Sequence, residues 1–266
     1  MKIQNKIIVV TGAGSGMGRE LTLQLVQKGA KVAMVDINES GLEETVKLAG
    51  ESNVSVHVTN ISDRQSVEQL PKAVIKQHGA VDGIINNAGI IQPFINVADL
   101  DYDHIERIMN VNFYGTLYMT KAFMPHLLKR PEAHIANVSS MGGFIPFPGQ
   151  TFYGASKAAV KLLTEGLYAE LKETNVNVTI IHPGAVNTNI MSNSGVETKE
   201  KEEQSKEASG MTLPAPKAAA IMIKAIEKNK FRVMVGKDAR ILDKIYRLAP
   251  RFATNFIVKM MKSRIH

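Results

Sequence analysis

The sequence predicts a single α/β domain, a doubly wound sheet of about seven parallel strands with helices on both faces, followed by a C-terminal helical tail. Three observations predict it. Short runs of β-branched and aliphatic residues recur without polar alternation, as in strands buried on both faces. Longer amphipathic stretches separate them, as the crossovers of a parallel sheet require. The first apolar run opens directly into a glycine-rich turn.

Taken in order, Ile7-Ile8-Val9-Val10 forms the first strand, and a helix pattern runs from about Arg19 to Lys28. Val32 to Val35 forms the second strand and ends at Asp36. Asn53 to Val58 makes the third, Gly83-Ile84-Ile85 the fourth, Ile135 to Val138 the fifth, Val176 to Ile181 the sixth and Phe231 to Val235 the seventh. Helical patterns fill the gaps, most clearly over 103–129 and 154–173. Residues 1–236 read as one domain and 237–266 as a basic amphipathic extension. The stretch 189–213 contains a charge-dense run, Glu197 to Glu207. It reads either as a solvated helix or loop, or as a lid over the ligand crevice at that edge of the sheet.

Composition narrows the function classes. The 266 residues are 44% apolar and 21% charged, close to a globular average. The chain has no cysteine, which excludes disulfide scaffolds, thiolate metal sites and thiol nucleophiles and fits a reducing, cytoplasmic setting. No apolar run is long enough to cross a membrane, and the chain enters its first strand without a signal-peptide pattern. The seven histidines lack metal-ligand spacing, so no metal is expected. From Gly236 onward eight basic residues face two acidic ones, a net +6, while the other 235 residues carry +1. A nearly neutral body argues against a nucleic-acid partner. In the tail, Ile241, Ile245 and Leu248 lie at helical spacing before Pro250, and Phe252, Phe256 and Met260 after it. Such helices pack on their own body or on a neighbouring subunit, or make peripheral contact with an anionic membrane.

The turn after the first strand reads Thr11-Gly12-Ala13-Gly14-Ser15-Gly16-Met17-Gly18. Glycines let the backbone approach a pyrophosphate, and the following helix offers its free N–H groups. An acidic residue closes the second strand, as a Rossmann-like dinucleotide site requires. Asp36 either accepts hydrogen bonds from the adenosine ribose or caps the next turn. Its carboxylate repels a 2′-phosphate, and Ser15 and Ile37 offer no cation to hold one, so NAD is favoured over NADP. Further on, Tyr153 and Lys157 stand four apart, on one face of a helix. An ammonium beside a phenol favours the phenolate, which makes the pair a usable proton shuttle.

These residues, in this order, resemble the short-chain dehydrogenase/reductase family of the roughly 250-residue, single-domain type. The resemblance runs from about Lys6 to Gly236. Thr11-Gly12-x-x-x-Gly16-x-Gly18 matches the family's cofactor turn, and Asn86-Asn87-Ala88-Gly89 the motif after the fourth strand. Asn112 matches the catalytic asparagine, Ser140 the catalytic serine thirteen residues before Tyr153, and His182-Pro183-Gly184-Ala185-Val186-Asn187-Thr188 the turn beside the nicotinamide.

The resemblance implies an NAD-dependent oxidoreductase that moves a hydride between nicotinamide and a secondary alcohol or ketone. Tyr153 is its acid/base, Ser140 holds the substrate oxygen, and Lys157 lowers the Tyr153 pKa and binds the nicotinamide ribose. Asn112 positions a water for a proton relay. Cofactor contacts carry over to Gly12, Ser15, Gly16, Met17, Gly18, Asp36, Ile37, Ala88, Gly89, Val111, Tyr153, Lys157, Pro183 and Gly184. Asn60 and Ile61 fall at the adenine, Asn87 near the ribose, and Val186 and Thr188 at the carboxamide. Asn86 is either a cofactor-side residue or a tie between the fourth and fifth strands, and Ser139 reads as structural. Ser140, Gly142, Phe144, Ile91 and Phe94 outline a mostly apolar substrate pocket, which favours a hydrophobic substrate over a sugar. Relatives assemble as homodimers or homotetramers through the helices carrying Tyr114 and Tyr153, so a homo-oligomer is expected. The competing reading is a dinucleotide-binding redox sensor without turnover.

Overall fold

The computed structural model describes residues 1–196 and 212–261. Seven strands form one sheet: β1 (Ile7–Thr11), β2 (Lys31–Asp36), β3 (Val54–Val58), β4 (Gly83–Asn86), β5 (Ala133–Val138), β6 (Val176–Pro183) and β9 (Arg232–Val235). Every pairing is parallel, in the order β3-β2-β1-β4-β5-β6-β9. The chain winds outward from β1 in one direction and from β4 in the other. A crevice therefore opens between the carboxyl ends of those two strands.

Side chains leave the sheet alternately toward two helical layers. Ile8, Val10 and Met34 join Leu21 and Leu25 of α1 (Gly16–Gln27) and Met222 and Ile223 of α8 (Ala215–Glu227). Val9, Val35 and Ile84 join Val67 and Leu70 of α3 (Arg64–His78), Phe123 and Leu127 of α5 (Thr116–Leu127) and Leu167 of α6 (Thr151–Glu170). Both faces of the inner strands are covered, which is why they read as unbroken apolar runs, whereas the edge strand β3 leaves Val56 and Val58 exposed. Each such side chain contributes about 1.5–3 kcal/mol of burial.

Several boundaries differ from those read in the sequence, each for a local reason. Helix α1 starts at Gly16 rather than near Arg19, because the glycine turn passes straight into its first turn. Helix α2 (Glu39–Ala49) is capped by Asn38, whose Oδ1 accepts the Gly41 N–H at 3.0 Å. Asp63 caps α3 by accepting the Gln65 N–H at 3.0 Å. The long helix expected over 103–129 is α4 (Tyr102–Met109) and α5 joined by a π-helical turn, Asn110–Gly115. A small parallel pair, β7 (Val186–Asn187) with β8 (Leu213–Pro214), flanks the crevice and has no clear sequence signal. Helix α7 (Ile190–Asn193) belongs to the expected lid, whereas Glu197 to Glu207 lies outside the described residues.

The tail folds as α9 (Lys237–Leu248) and α10 (Pro250–Met261), broken at Pro250 as expected. Its inner side, Leu242, Ile245, Tyr246, Ala253, Ile257 and Met261, packs on Phe94, Phe144, Ile145 and Phe147. Of the six apolar residues singled out in the sequence, Ile245 faces inward. Ile241, Leu248, Phe252, Phe256 and Met260 are exposed. Among the described residues no helix is long and apolar enough to cross a membrane.

Candidate active site

The crevice holds a cleft of about 500 Å³, within the range of ligand sites. Its floor is the turn after β1. Gly12 and Gly16 have φ of +70° and +51°, which only glycine adopts without strain. A Cβ on Gly12 would stand 2.9 Å from Asn87 Nδ2, and one on Gly18 would collide with the Gly12 carbonyl. The turn is thus held close to β4 and to its own helix. Thr11 fastens it from the other side: Thr11 Oγ1 accepts the Asn87 and Ala88 N–H groups at 3.0 Å each, and its carbonyl accepts Asn87 Nδ2 at 3.0 Å.

Gly12, Gly14, Ser15, Gly16, Met17, Asp36, Ile37, Asn60, Ile61, Asn87, Ala88, Gly89, Val111 and Thr188 all line the cleft. Gly18, Tyr153, Lys157, Pro183, Gly184 and Val186 do not. Gly18 backs the turn, and Gly184 is pressed against Asp238, which accepts the Ala185 N–H at 2.7 Å. Asp36 accepts the Gly14 and Asn38 N–H groups at 2.9 and 3.0 Å, so it braces the turn at the same time as it faces the cleft. Its carboxylate keeps lone pairs for further donors. Asn87 Oδ1 is buried and has no hydrogen-bond partner among the described residues, which makes it a free acceptor beside the cleft. The glycine cradle, the helix N-terminus, this acceptor and the cleft's size fit a dinucleotide.

Polar residues outside the expected set also line the cleft, among them Asn38, Thr59, Ser62 and Arg107, and Asn189 and Asn193 from the 189–213 stretch. Asn193 Nδ2 donates to Ser15 Oγ at 2.8 Å, and the Ile91 N–H donates to Ser194 Oγ at 3.0 Å. Helix α7 is therefore tied to both the glycine turn and the substrate-side loop.

The expected catalytic group lies beyond the Gly89–Ile90 end of the cleft. Ser140 follows β5, and its Oγ accepts the Gly142 N–H at 3.0 Å. Ser139 is structural: its hydroxyl donates to the Lys157 carbonyl at 2.7 Å. A Cβ on Gly143 would stand 2.6 Å from Ser139 Oγ and 2.8 Å from that carbonyl, so this loop can reach α6 only with glycine there. Tyr153 shares a hydrogen bond with Ser140. Gly142 leaves open the space against the Tyr153 ring, where a Cβ would make a 3.4 Å contact.

Lys157 Nζ is buried and donates to the Val138 carbonyl at 3.0 Å. A Cβ on Gly89 would stand 2.9 Å from that nitrogen and 3.1 Å from Asn112 Oδ1, which places the two groups together behind the cleft. Asn112 is fully buried in the π-helical turn. Its Oδ1 accepts the Ile90 N–H at 2.9 Å, and its Nδ2 donates to the Ile90 carbonyl at 2.9 Å and to Ser156 Oγ at 3.0 Å. Widened turns of this kind recur at functional sites.

Electrostatics correct one expectation. Burial pushes the Tyr153 phenol above its ordinary value, and the hydrogen bond with Ser140 offsets only part of that. Loss of solvent also brings the Lys157 ammonium down to about 8. Desolvation thus sets the direction of the phenol's shift in this arrangement.

Two positioning residues escaped sequence reasoning. Gln92 is buried, and its Oε1 accepts the N–H groups of Phe152 and Tyr153 at 2.9 and 3.0 Å. It caps α6 from a distant loop, since Gln150 at the N-cap makes no such bond. His182 Nδ1 bonds the Ser140 carbonyl at 3.0 Å. A carbonyl can only accept, so Nδ1 carries the proton. Burial lowers the His182 pKa to about 4, so the ring is neutral near pH 7.

Ile91, Phe94 and Phe144, the residues expected at the substrate, are all half-buried and do not line the cleft. The Phe144 ring meets His182 edge-on at 5.4 Å, and the Arg232 guanidinium lies 5.8 Å over its face. Asn86 does not line the cleft either. Its Nδ2 donates to Asn137 Oδ1 at 2.8 Å and to Thr120 Oγ1 at 3.2 Å, tying β4 to β5 and α5.

Known proteins resemble this chain in sequence and fold. The short chain dehydrogenase family model matches residues 6–199. The putative oxidoreductase SadH of Mycobacterium tuberculosis is 37% identical over 252 residues, spanning 92% of this chain and 91% of its own. A short-chain dehydrogenase/reductase from Burkholderia phymatum, solved with NAD, superposes with a TM-score of 0.83 at 26% identity over 93% of this chain and 96% of its own. The 3-ketoacyl-(acyl-carrier-protein) reductase of Brucella melitensis, solved with NADH, gives 0.79 at 26% identity over 88% and 97%. With the glycine turn, the β4 motif and the Ser-Tyr-Lys cluster in place on one sheet edge, the chain belongs to the short-chain dehydrogenase/reductase family.

Proposed function

We propose that the protein is an NAD-preferring dehydrogenase/reductase that interconverts a hydrophobic secondary alcohol and its ketone, with Tyr153 as the acid/base. The observation that carries this reading is the convergence of Ser140, Tyr153, Lys157 and Asn112 just past the end of a dinucleotide-sized cleft. When bound there, a nicotinamide dinucleotide supplies the hydride acceptor for oxidation or the donor for reduction.

The chain's own residues do the rest. Tyr153 takes the hydroxyl proton in one direction and returns it to the carbonyl oxygen in the other. Ser140 hydrogen-bonds that oxygen, where charge develops. The Lys157 cation binds the nicotinamide ribose and stabilises negative charge forming on the phenol. Asn112 holds the backbone at Ile90 and orders a water behind Lys157. Asp36 accepts the ribose hydroxyls and disfavours a 2′-phosphate, which is the basis for NAD over NADP. Ile91, Phe94, Gly142 and Phe144 shape the apolar substrate wall. Residues 1–236 form the catalytic unit, 189–213 its lid and 237–266 an extension that buttresses the substrate side. Assembly as a homodimer or homotetramer uses the outer faces of the 102–127 helix and α6, where Tyr114 and Leu162 stand exposed. The cysteine-free sequence fits the cytoplasm.

Initial rates over a panel of steroid, aliphatic, aromatic, diol and polyol alcohols test this, with NAD⁺ and NADP⁺ in parallel. Turnover of apolar alcohols with NAD⁺ is expected. Preference for NADP⁺ would overturn the reading of Asp36, and preference for polyols would overturn that of the pocket. Nucleotide binding with no turnover in either direction would favour a sensor.

A further inference from the structure

The geometry points to α9 and α10 as a docking face for an anionic lipid bilayer. These helices carry two apolar stripes rather than one. The inner stripe is consumed by packing on Phe94, Phe144, Ile145 and Phe147. The outer stripe, Ile241, Leu248, Phe252, Phe256 and Met260, is left exposed by the described residues. Leu248 is 87% exposed, Phe252 63% and Met260 60%. At helical spacing Lys237, Ile241, Lys244 and Leu248 share one face of α9, and Phe252, Phe256 and Lys259 share one face of α10.

The charge on that face has a single sign. Lys237, Arg240, Lys244, Arg247, Arg251 and Lys259 are all exposed. Both acidic residues of the tail are drawn inward. Asp238 accepts the Ala185 N–H, and the buried Asp243 pairs with Arg232 at 2.9 Å and with Arg247 at 3.8 Å, which leaves Lys237, Arg240, Lys244, Arg251 and Lys259 without an ion pair among the described residues. The rest of the chain is close to neutral, so the positive field is local to this face.

The combination selects the occupant. Large aliphatic and aromatic side chains interleaved with Lys and Arg are the chemistry of helices that lie in a lipid interface. The phosphates of anionic headgroups complement the cations, and the acyl region takes the apolar stripe. A second copy in a two-fold contact would set this cation-rich face against its own like-charged copy. A polyphosphate duplex would match the cations but leave the apolar stripe in water.

The inner stripe gives the docking a functional consequence. Phe94 and Phe144 lie one helix layer from the outer face, about 10 Å. A bilayer seated on the tail would therefore present lipid-dissolved alcohols or ketones beside the substrate wall. This consequence rests on the apolar-pocket reading of the proposed function, whereas lipid binding does not.

Vesicle co-sedimentation of the full-length protein tests the docking. It would compare phosphatidylcholine vesicles with vesicles also containing phosphatidylglycerol. Binding to the anionic vesicles alone is expected, reversed by added salt. A Lys244→Glu/Arg251→Glu/Lys259→Glu variant should lose about a hundredfold in partitioning, at about fivefold per cation. Phe252→Ser/Phe256→Ser should lose binding even to the anionic vesicles. Both variants should keep NADH binding and the rate on a water-soluble alcohol, since these residues touch neither site. Equal binding to both vesicle types, or none, would overturn the proposal. So would charge reversal without effect, displacement by duplex DNA, or a dimer that the reversals dissociate in sedimentation velocity. A failed apolar pocket would instead show in the rate panel and leave vesicle binding intact.

Discussion

Gln92 stands 61 residues before Tyr153 and yet sets where that tyrosine sits, because its Oε1 accepts the Tyr153 N–H. Replacing it with Leu removes the acceptor from two N–H groups at the start of α6, and leaving buried donors unsatisfied costs about 1–3 kcal/mol. The expected outcome for Gln92→Leu is a fall in kcat with the NADH dissociation constant, read by fluorescence, unchanged. Tyr153→Phe should be more severe, a loss of about 10²–10⁴-fold in kcat, since it removes the proton carrier itself. The raised phenol gives the direction of the pH profile: oxidation needs the phenolate and should speed up toward alkaline pH, while reduction uses the phenol and should fall there. Tyr153 and Lys157 were legible in the sequence because their spacing puts them on one helix face, and Ser140 because the family resemblance points to a serine thirteen residues before the tyrosine. Gln92 and His182 were not, because their partners are brought to them by tertiary contacts. The expected lowering of the Tyr153 phenol failed for a related reason. Spacing shows that a cation is near but says nothing of how much water burial removes.

At the scale of elements, the parallel strands were readable because burial on both faces leaves an unbroken apolar run. The π-helical turn at Asn110–Gly115 was not, since one extra residue in a turn hardly alters a helical period. The tail shows the limit most clearly. Both sides of α9 and α10 carry apolar residues, so periodicity alone could not choose which side packs. Two outcomes follow for elements that the structure now defines. Ile257→Ala leaves a cavity against Ile145 and should cost about 2–5 kcal/mol in urea unfolding. It should also raise KM for apolar alcohols, because the same cluster backs Phe144. The polar ladder Thr120–Asn86–Asn137–Thr164 crosses the sheet with all four residues buried. Asn86→Leu strands the Asn137 acceptor and should cost about 1–3 kcal/mol without moving cofactor affinity. That combination would separate it from Asn87, whose neighbouring position faces the cleft.

For the molecule as a whole, acid sensitivity follows from two histidines buried without charge. His134 lies between strands β5 and β6 with its Nε2 2.8 Å from Thr179 Oγ1, and burial lowers its pKa to about 3. His182 is lowered to about 4. Both folded values lie below the usual 6.5 of an unfolded histidine, so the unfolded chain binds more protons as pH falls. The stability that neutral histidines support is therefore fully present above pH 6.5 and drains away toward pH 4. Each histidine contributes a slope of up to about 1.4 kcal/mol per pH unit, so together they remove about 4 kcal/mol by pH 5. That is a large share of the usual 5–15 kcal/mol. His57 and His78 shift in the same direction but are partly exposed, and their contribution is smaller. Urea midpoints at pH 7, 6 and 5 should fall steeply for the native chain. They should fall about half as steeply for His134→Gln, which loses one of the two deeply buried rings while leaving the active-site side untouched. His182 adds a kinetic signature. A proton on its Nε2 creates a buried donor with no acceptor among the described residues, on a ring that holds the carbonyl of Ser140. Activity should therefore fail in acid ahead of global unfolding, and more so than in a chain carrying His182→Gln. Identical pH slopes in the native chain and His134→Gln would show that His134 is not held neutral, and the acid lability would have to come from the carboxylates instead.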